Sequence, residues 1–327
     1  MTDLINYRQI IAVAIADAMR IDPDVILIGE DVGAAGGAFK TTVGLFDEFG
    51  PERVLDTPIS EQAIVGAALG AAITGMRPVA EIMFADFAGV CFDQIANQVA
   101  KYRYMTGGQV SVPMTIRMAN GAGSGFGAQH SQPAENWFLN VPGLKIVVPA
   151  TVEDLYGLLR SAIADDNPVL VFEHKNLFAI KGHVPYGETE FVPIGVAAVV
   201  RTGSDVTIVA TQQMRYRAVE AAAILETEGI SAAVIDPRTL VPFDDATVIS
   251  SLQETSRLLV VQEAPESGSW GASLVSRVVT GHFELLDAPP VLISAENIPV
   301  PYAADMEEAW LPSVQDIVSA ARKQCAY

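Results

Sequence analysis

The chain has 327 residues, 50% of them hydrophobic, and a formal net charge of −19 from 39 acidic and 20 basic residues. That length suggests about two domains. The acidic balance argues against non-specific nucleic-acid binding, which needs clustered Lys and Arg. The two cysteines, Cys91 and Cys325, lie far apart and fit neither a disulfide framework nor a metal spacing. A reducing, cytoplasmic setting is expected. The start, Met1-Thr2-Asp3-Leu4, has no basic segment followed by an apolar core, so no signal peptide is expected. The longest apolar run, Ala63 to Ile73, is too short and Gly-rich to span a bilayer.

Tyr7, Ile10, Ile11, Ala14, Ile15 and Ala18 fall at helical spacing and predict an opening amphipathic helix. Val25 to Ile28 is wholly apolar and predicts a buried parallel strand. The loop Gly33 to Thr42 is Gly-rich, but Phe39 and not Gly precedes Lys40, so it fails as a phosphate loop and reads as a mobile loop. Arg53 to Asp56 predicts a second strand. A polar turn then leads into an almost wholly apolar, Gly/Ala-rich helix, with Ser60 as N-cap and Glu61 in the first turn. Glu61 reads either as an ordinary helix start or as a catalytic carboxylate.

Pro78 to Phe84 predicts a third strand, and Asp86 to Tyr104 one long helix with Phe92, Ile95, Ala96, Val99 and Tyr102 on one face. Phe87, just past the strand end, is placed to cover a ligand. Pro113 to Met118 predicts a fourth strand. The glycine run Gly121 to Ala128 contains Gly123, Gly125 and Ala128 in dinucleotide-fingerprint spacing, but no acid follows at the next strand end. The run presents His130, which reads as a surface residue or as a proton-transfer group. Leu144 to Val148 and Pro168 to Glu173 predict two more strands, with a helix over Val152 to Ala164 between them. Alternating strands and helices mean a doubly wound parallel sheet. After a polar linker, strands at 206–210, 231–235, 257–262 and 290–294 alternate with helices at 215–227, 244–254 and 271–281. The expected domains are residues 1–181 and 195–327, joined by 182–194.

Asp56-Thr57-Pro58-Ile59-Ser60-Glu61, Glu81 to Phe87, Phe92-Asp93-Gln94-Ile95, Ala128 to Gln132 and Ile235 to Leu240 stand in one order along the chain. In that order they resemble the β subunit of the thiamine diphosphate-dependent first component of 2-oxo acid dehydrogenase complexes. The resemblance is to the acetoin and pyruvate branches, and it covers nearly the whole chain. It implies an α/β fold, with a transketolase-like pyrimidine-binding domain and a smaller transketolase C-terminal domain. It implies that Glu61 hydrogen-bonds the aminopyrimidine of the cofactor and drives formation of the ylide. Burial beside an apolar helix would favour a proton-sharing carboxyl. It also assigns cofactor contacts to Phe87 and Ile59, and proton transfer during reductive acylation of lipoamide to His130. A structural potassium site carries over to Met114, Ala162, Ile163, Asp165 and Asn167. Without the family, Asp165-Asp166-Asn167-Pro168 reads as a helix stop.

The family's Gly-Asp-Gly, which holds the diphosphate and Mg²⁺, is absent from this sequence. The resemblance therefore implies an α subunit carrying it, an α2β2 assembly, and transfer from a small-molecule substrate to a lipoyl-bearing acyltransferase core. Pro237, Val241 and the segment Gln262 to Gly271 depart from the family pattern. The alternatives are a branched-chain 2-oxo acid dehydrogenase β subunit, half of a split transketolase, or a non-catalytic subunit. The low Lys and Arg content gives a sugar-phosphate substrate little support.

Overall fold

A computed structural model describes residues 3–184 and 191–327. Met1, Thr2 and the linker residues Pro185 to Glu190 lie outside the described residues. In chain order the elements are β1 (Asp3–Asn6), α1 (Tyr7–Ile21), β2 (Val25–Gly29), α2 (Leu45–Phe49), β3 (Val54–Asp56), α3 (Glu61–Ile73), β4 (Arg77–Phe84), α4 (Tyr102–Met105), β5 (Thr115–Asn120) and α5 (Gly127–His130). Then come β6 (Lys145–Val147), α6 (Val152–Ala164), β7 (Val169–His174), β8 (Lys181–Val184), β9 (Ala198–Arg201), β10 (Val206–Ala210), α7 (Gln212–Thr227), β11 (Ala232–Asp236) and β12 (Thr239–Val241). The last are α8 (Asp245–Thr255), β13 (Leu258–Val261), α9 (Trp270–Gly281), β14 (Val291–Ile293), α10 (Ala304–Trp310) and α11 (Val314–Cys325).

Two compact units emerge. The first is Met1–Asn120 with Asn140–Ile194, and the second is Gly121–Leu139 with Gly195–Tyr327. The segment Gly121–Leu139 therefore groups with the second unit, although it lies inside the 1–181 span expected for the first. Ala122 shows why: it is fully buried in the second unit's core.

In the first unit six strands run parallel in the order β3-β2-β4-β5-β7-β6. β2, β5 and β7 are buried along their whole length, as their apolar runs require. Residues of α1, β2, β4, α6 and β7 form one core. Tyr7 is fully buried and its hydroxyl donates to the Pro149 carbonyl at 2.8 Å. β1 and β8 add a small antiparallel pair that periodicity does not reveal. The chain leaves β2 towards β3, then returns over β2 to β4. The C-terminal ends of β2 and β4 thus form a topological switch point, where open α/β sheets bind ligands. Gly29 ends β2 there. A Cβ on it would lie 2.9 Å from Val32 Cγ1 and 3.0 Å from the Glu81 backbone oxygen, so only glycine allows this approach.

The long helix expected from Asp86 to Tyr104 is broken. It is a 3₁₀ turn over Ala85–Gly89, a π turn over Gln94–Val99 and the short α4. Gly89-Val90, a poor helix-forming pair, ends the first turn. The π turn keeps Ile95, Ala96 and Val99 buried together.

Three charged residues cross the middle of this sheet. Arg117 on β5 donates through Nε and Nη2 to both Glu173 carboxylate oxygens, at 2.8 and 2.7 Å, and through Nη1 to Glu81 Oε2. Arg117 and Glu81 are register partners, and Glu173 lies on the strand on the other side. All three are buried. Burial raises the Glu81 and Glu173 carboxyls above their usual range, opposed by the guanidinium. Burial works against the charge on Arg117, yet the two carboxylates hold its proton more firmly than usual.

The second unit carries a smaller sheet in the order β14-β13-β10-β11-β9. Its first four strands are parallel and β9 is antiparallel to β11. α7 and α11 pack on its core, and α11 starts with a Ser313–Asp316 capping box. No helix among the described residues is long and apolar enough to cross a membrane.

Removing the cation of the buried triad tests it. Arg117→Met should destabilise the chain by about 3–5 kcal/mol at neutral pH, because two buried carboxyls lose their partner. A carboxyl whose folded pKa is raised binds protons more tightly when folded, so its penalty shrinks as pH falls. The deficit in urea unfolding should therefore narrow on acidification towards the usual carboxylate range. A deficit that widens would contradict the assignment.

Candidate active site

The turn after β3 is built to deliver a carboxylate to the switch point. Thr57 N–H donates to the Gly29 carbonyl at 3.0 Å, which ties the turn to the end of β2. Gly33 N–H donates to Asp56 Oδ1 at 2.6 Å, which ties the glycine loop to the end of β3. That loop is internally bonded rather than loose: Thr42 Oγ1 donates to the Val32 carbonyl at 2.8 Å, and Thr41 and Thr42 are buried. Ser60 stands at the N-cap of α3, but its side chain makes no capping hydrogen bond. Glu61 opens the helix and is only 8% exposed. Ile59, two residues earlier, is 75% exposed. Small residues on α3 allow close packing; a Cβ at Gly66 would sit 3.6 Å from Gln94 Oε1.

The field of Glu61 reaches its neighbours. Burial raises the Glu30 carboxyl at the end of β2, and Asp31 and then Glu61 add to the effect. Burial pushes the Cys91 thiol up to about 12, with Glu61 contributing. Cys91 is fully buried, as its apolar surroundings predict. An aromatic wall stands at the same strand ends. Phe84 meets Phe39 edge-on at 5.2 Å and Phe87 edge-on at 6.0 Å, and the buried Lys175 ammonium lies 5.9 Å from the Phe84 ring centre. Phe87 is half-buried in the 3₁₀ turn after β4. Glu61, Phe87 and Ile59 thus all belong to the loops at one sheet edge. The Lys175 and Glu30 contributions are absent from the motif pattern. An ionisable residue just past an apolar strand was the available signal.

His130 lies in the second unit, at the end of the one-turn α5. Next to it the Ser131 hydroxyl is buried with no hydrogen-bond partner among the described residues. A cavity of about 480 Å³ in this unit is lined by Ala128, Gln132 and Asn136 from the same loop, and by Pro265, Ile298 and Trp310.

Of the five expected potassium ligands, Ala162, Ile163, Asp165 and Asn167 lie at and just past the C-terminal end of α6, and Met114 immediately precedes β5. Met114 O accepts from Val169 N–H at 3.0 Å, and Ala162 O accepts from Asp165 N–H at 3.3 Å. Asp165 Oδ1 accepts from Asn167 N–H at 2.9 Å, and its Oδ2 pairs with Lys145. Arg77 Nη1 donates to the Ile163, Ala164 and Asp165 carbonyls at 3.4, 3.2 and 3.2 Å.

Comparison with known proteins agrees with this architecture. Residues 3–181 match the family model for the transketolase pyrimidine-binding domain, and residues 195–317 that for the transketolase C-terminal domain. The chain is 46% identical to the acetoin:2,6-dichlorophenolindophenol oxidoreductase subunit beta of Bacillus subtilis (strain 168), over 98% of this chain and 96% of that one. It is 45% identical to the pyruvate dehydrogenase E1 component subunit beta-2, mitochondrial, of Oryza sativa subsp. japonica, over 98% and 86%. A split-gene transketolase, solved as an inactive beta4 tetramer, shares the fold with a TM-score of 0.81 and 24% identity, covering 98% of this chain and 99% of that one.

The thiol environment gives a direct check on the carboxylate's position. At about pH 8, where a thiol raised to about 12 stays protonated, iodoacetamide should label Cys325 well before Cys91. Glu61→Gln removes a negative neighbour and should lower the Cys91 thiol pKa. An unchanged value would place the carboxylate elsewhere.

Proposed function

The chain belongs to the transketolase-like family that contains the beta subunits of acetoin and pyruvate dehydrogenases, and from that premise we propose that it is the β subunit of a thiamine diphosphate-dependent dehydrogenase of acetoin or pyruvate type. In this reading it acts with an α subunit, in an α2β2 assembly, and passes an acyl group to the lipoyl arm of an acyltransferase core. The names of the relatives, each a beta subunit, support the partner. Two free cysteines suit a cytoplasmic setting.

The observation that carries the proposal is the buried Glu61 carboxylate at the mouth of a Gly/Ala-rich helix, beside the switch point. The residues fit an aminopyrimidine. Glu61 offers a fixed acceptor for a ring nitrogen, Phe87 a ring face, and Ile59 apolar surface beside them. Thiamine diphosphate, when bound, supplies a carbon that attacks a carbonyl. Glu61 would share a proton with the ring nitrogen through its carboxylate oxygen, and its burial keeps water from competing for that proton. Mg²⁺ and the diphosphate would be held by the α subunit. His130 would move a proton during transfer to the lipoyl sulfur.

A potassium ion also suits the donor set at the end of α6. The carbonyls there lie at the negative pole of the helix, and hard oxygens suit such a cation. Arg77 and Lys145 already meet part of that polarity, so the role proposed for the ion is structural.

The chain mixed with its α subunit, thiamine diphosphate and Mg²⁺ should reduce an artificial electron acceptor with acetoin or pyruvate, whereas the chain alone should not. Turnover by the isolated chain would sink the two-subunit reading. Glu61→Gln should slow hydrogen–deuterium exchange at the cofactor's reactive carbon by roughly 10²-fold or more while the assembly stays intact. His130→Ala should impair lipoamide acylation far more than the first half-reaction. Equal losses in both would count against its role. Exchanging potassium for a bulky organic cation should lower the thermal midpoint by a few degrees, as loss of a ligand bound only to the native state does.

A further inference from the structure

The glycine run that fails as a dinucleotide motif has a different use. Gly121, Gly123, Gly125 and Gly127 all have positive φ, at 84°, 90°, 72° and 73°. Left-handed residues at alternate positions turn successive N–H groups towards one point and make an anion-binding concavity. The chain fills that concavity with its own carboxylates. Glu307 on α10 is 3% exposed. Its Oε1 accepts from Gly123 N–H and its Oε2 from Gly125 N–H, each at 2.9 Å. Glu263, just past β13, accepts from Ala122 N–H at 3.2 Å. Hydrogen bonds to an ionised acceptor are about twice as strong as neutral ones. The far side of the loop is held as well: Asn136 Oδ1 accepts from Trp270 N–H at 3.0 Å. His130 lies between these two anchors.

We propose that Glu307 is a positioning residue: by clamping the Gly123 and Gly125 N–H groups it fixes the loop that presents His130, and so sets the imidazole for proton transfer to the acyl acceptor. The proposal rests on the role given to His130 above. A displacement of about 1 Å at a reacting group can cost 10²-fold in rate, so an anchor five residues away matters. The neutral amide of Glu307→Gln keeps one acceptor and turns a donor towards the second N–H, with almost no change of volume.

Two variants attack the clamp from opposite sides. Glu307→Gln alters the anion. Gly125→Ala alters the loop, and no atom of the described residues lies within 4 Å of the added Cβ, so it strains the backbone without a clash. In each, amide hydrogen exchange of residues 121–131, measured on the chain by mass spectrometry, should quicken by ~10-fold or more while peptides of β10 and β13 keep their protection. In the complex with the α subunit, lipoamide acylation should fall by roughly 10–10²-fold, with the first half-reaction within about twofold of normal. Combining Glu307→Gln with His130→Ala should give little more loss than His130→Ala alone, since both act through one group. Faster exchange with unimpaired acylation, in a complex where His130→Ala is impaired, would overturn the clamp's role. Unchanged exchange would overturn the clamp itself. Normal acylation in His130→Ala, with faster exchange in Glu307→Gln, would instead sink the function assigned to His130, and the proposal with it.

Discussion

The first unit depends on Arg117 reaching both of its neighbouring strands. A parallel sheet has no hairpins to set its register, and each strand enters after a long crossover. Apolar faces resist a one-residue slip but discriminate poorly along the strand axis. A guanidinium held by Glu81 on one side and Glu173 on the other supplies that discrimination. Moving either strand by two residues would leave a charge buried alone, at a cost of several kcal/mol. The loops after β2, β4 and β7 inherit this alignment, and they carry Glu30, Phe87 and Lys175.

The same residue type serves three purposes in one chain. Glu81 and Glu173 are buried and paired, and they hold strands together. Glu61 is buried at the start of α3, the position proposed for contact with a cofactor ring. Glu307 and Glu263 bind backbone N–H groups and shape a loop. Burial is common to all of them; what differs is the partner. A cation makes a strut, and a backbone N–H makes an anchor. Composition counts all of these as surface charge, which is why a net charge of −19 says little about the site.

Much of the architecture was legible because apolar strands between amphipathic helices leave few topologies. β2, β5, β7, α1 and α6 fall close to where their patterns put them. The turn into α3 was visible too, and only the ordered company of the other motifs offered Glu61 a role beyond an ordinary helix start. Three things were hidden. The break-up of the segment after β4 was masked by an apolar stripe at helical spacing, although Gly89-Val90 is a poor helix-forming pair. The pairing of β1 with β8 joins residues far apart in sequence. The membership of Gly121–Leu139 in the second unit turns on Ala122 and on carboxylates well over a hundred residues away. One signal was present and unread: a charged residue inside each of three apolar strands requires partners, and the strands could have been matched by it.

The glycine run shows why a motif needs its context. Glycines spaced to admit a phosphate also admit any anion small enough to face converging N–H groups. A nucleotide site keeps that space open, with a helix dipole behind it. Here α5 is a single turn and contributes little dipole, and a buried glutamate already occupies the position. An internal anion is tethered to the chain, so these N–H groups have their acceptor without a bound ligand. A loop that must present an imidazole gains from that permanence. A loop that must bind and release a nucleotide would not. The spacing that suggests a cofactor site is therefore better explained as the means by which the chain holds its histidine still.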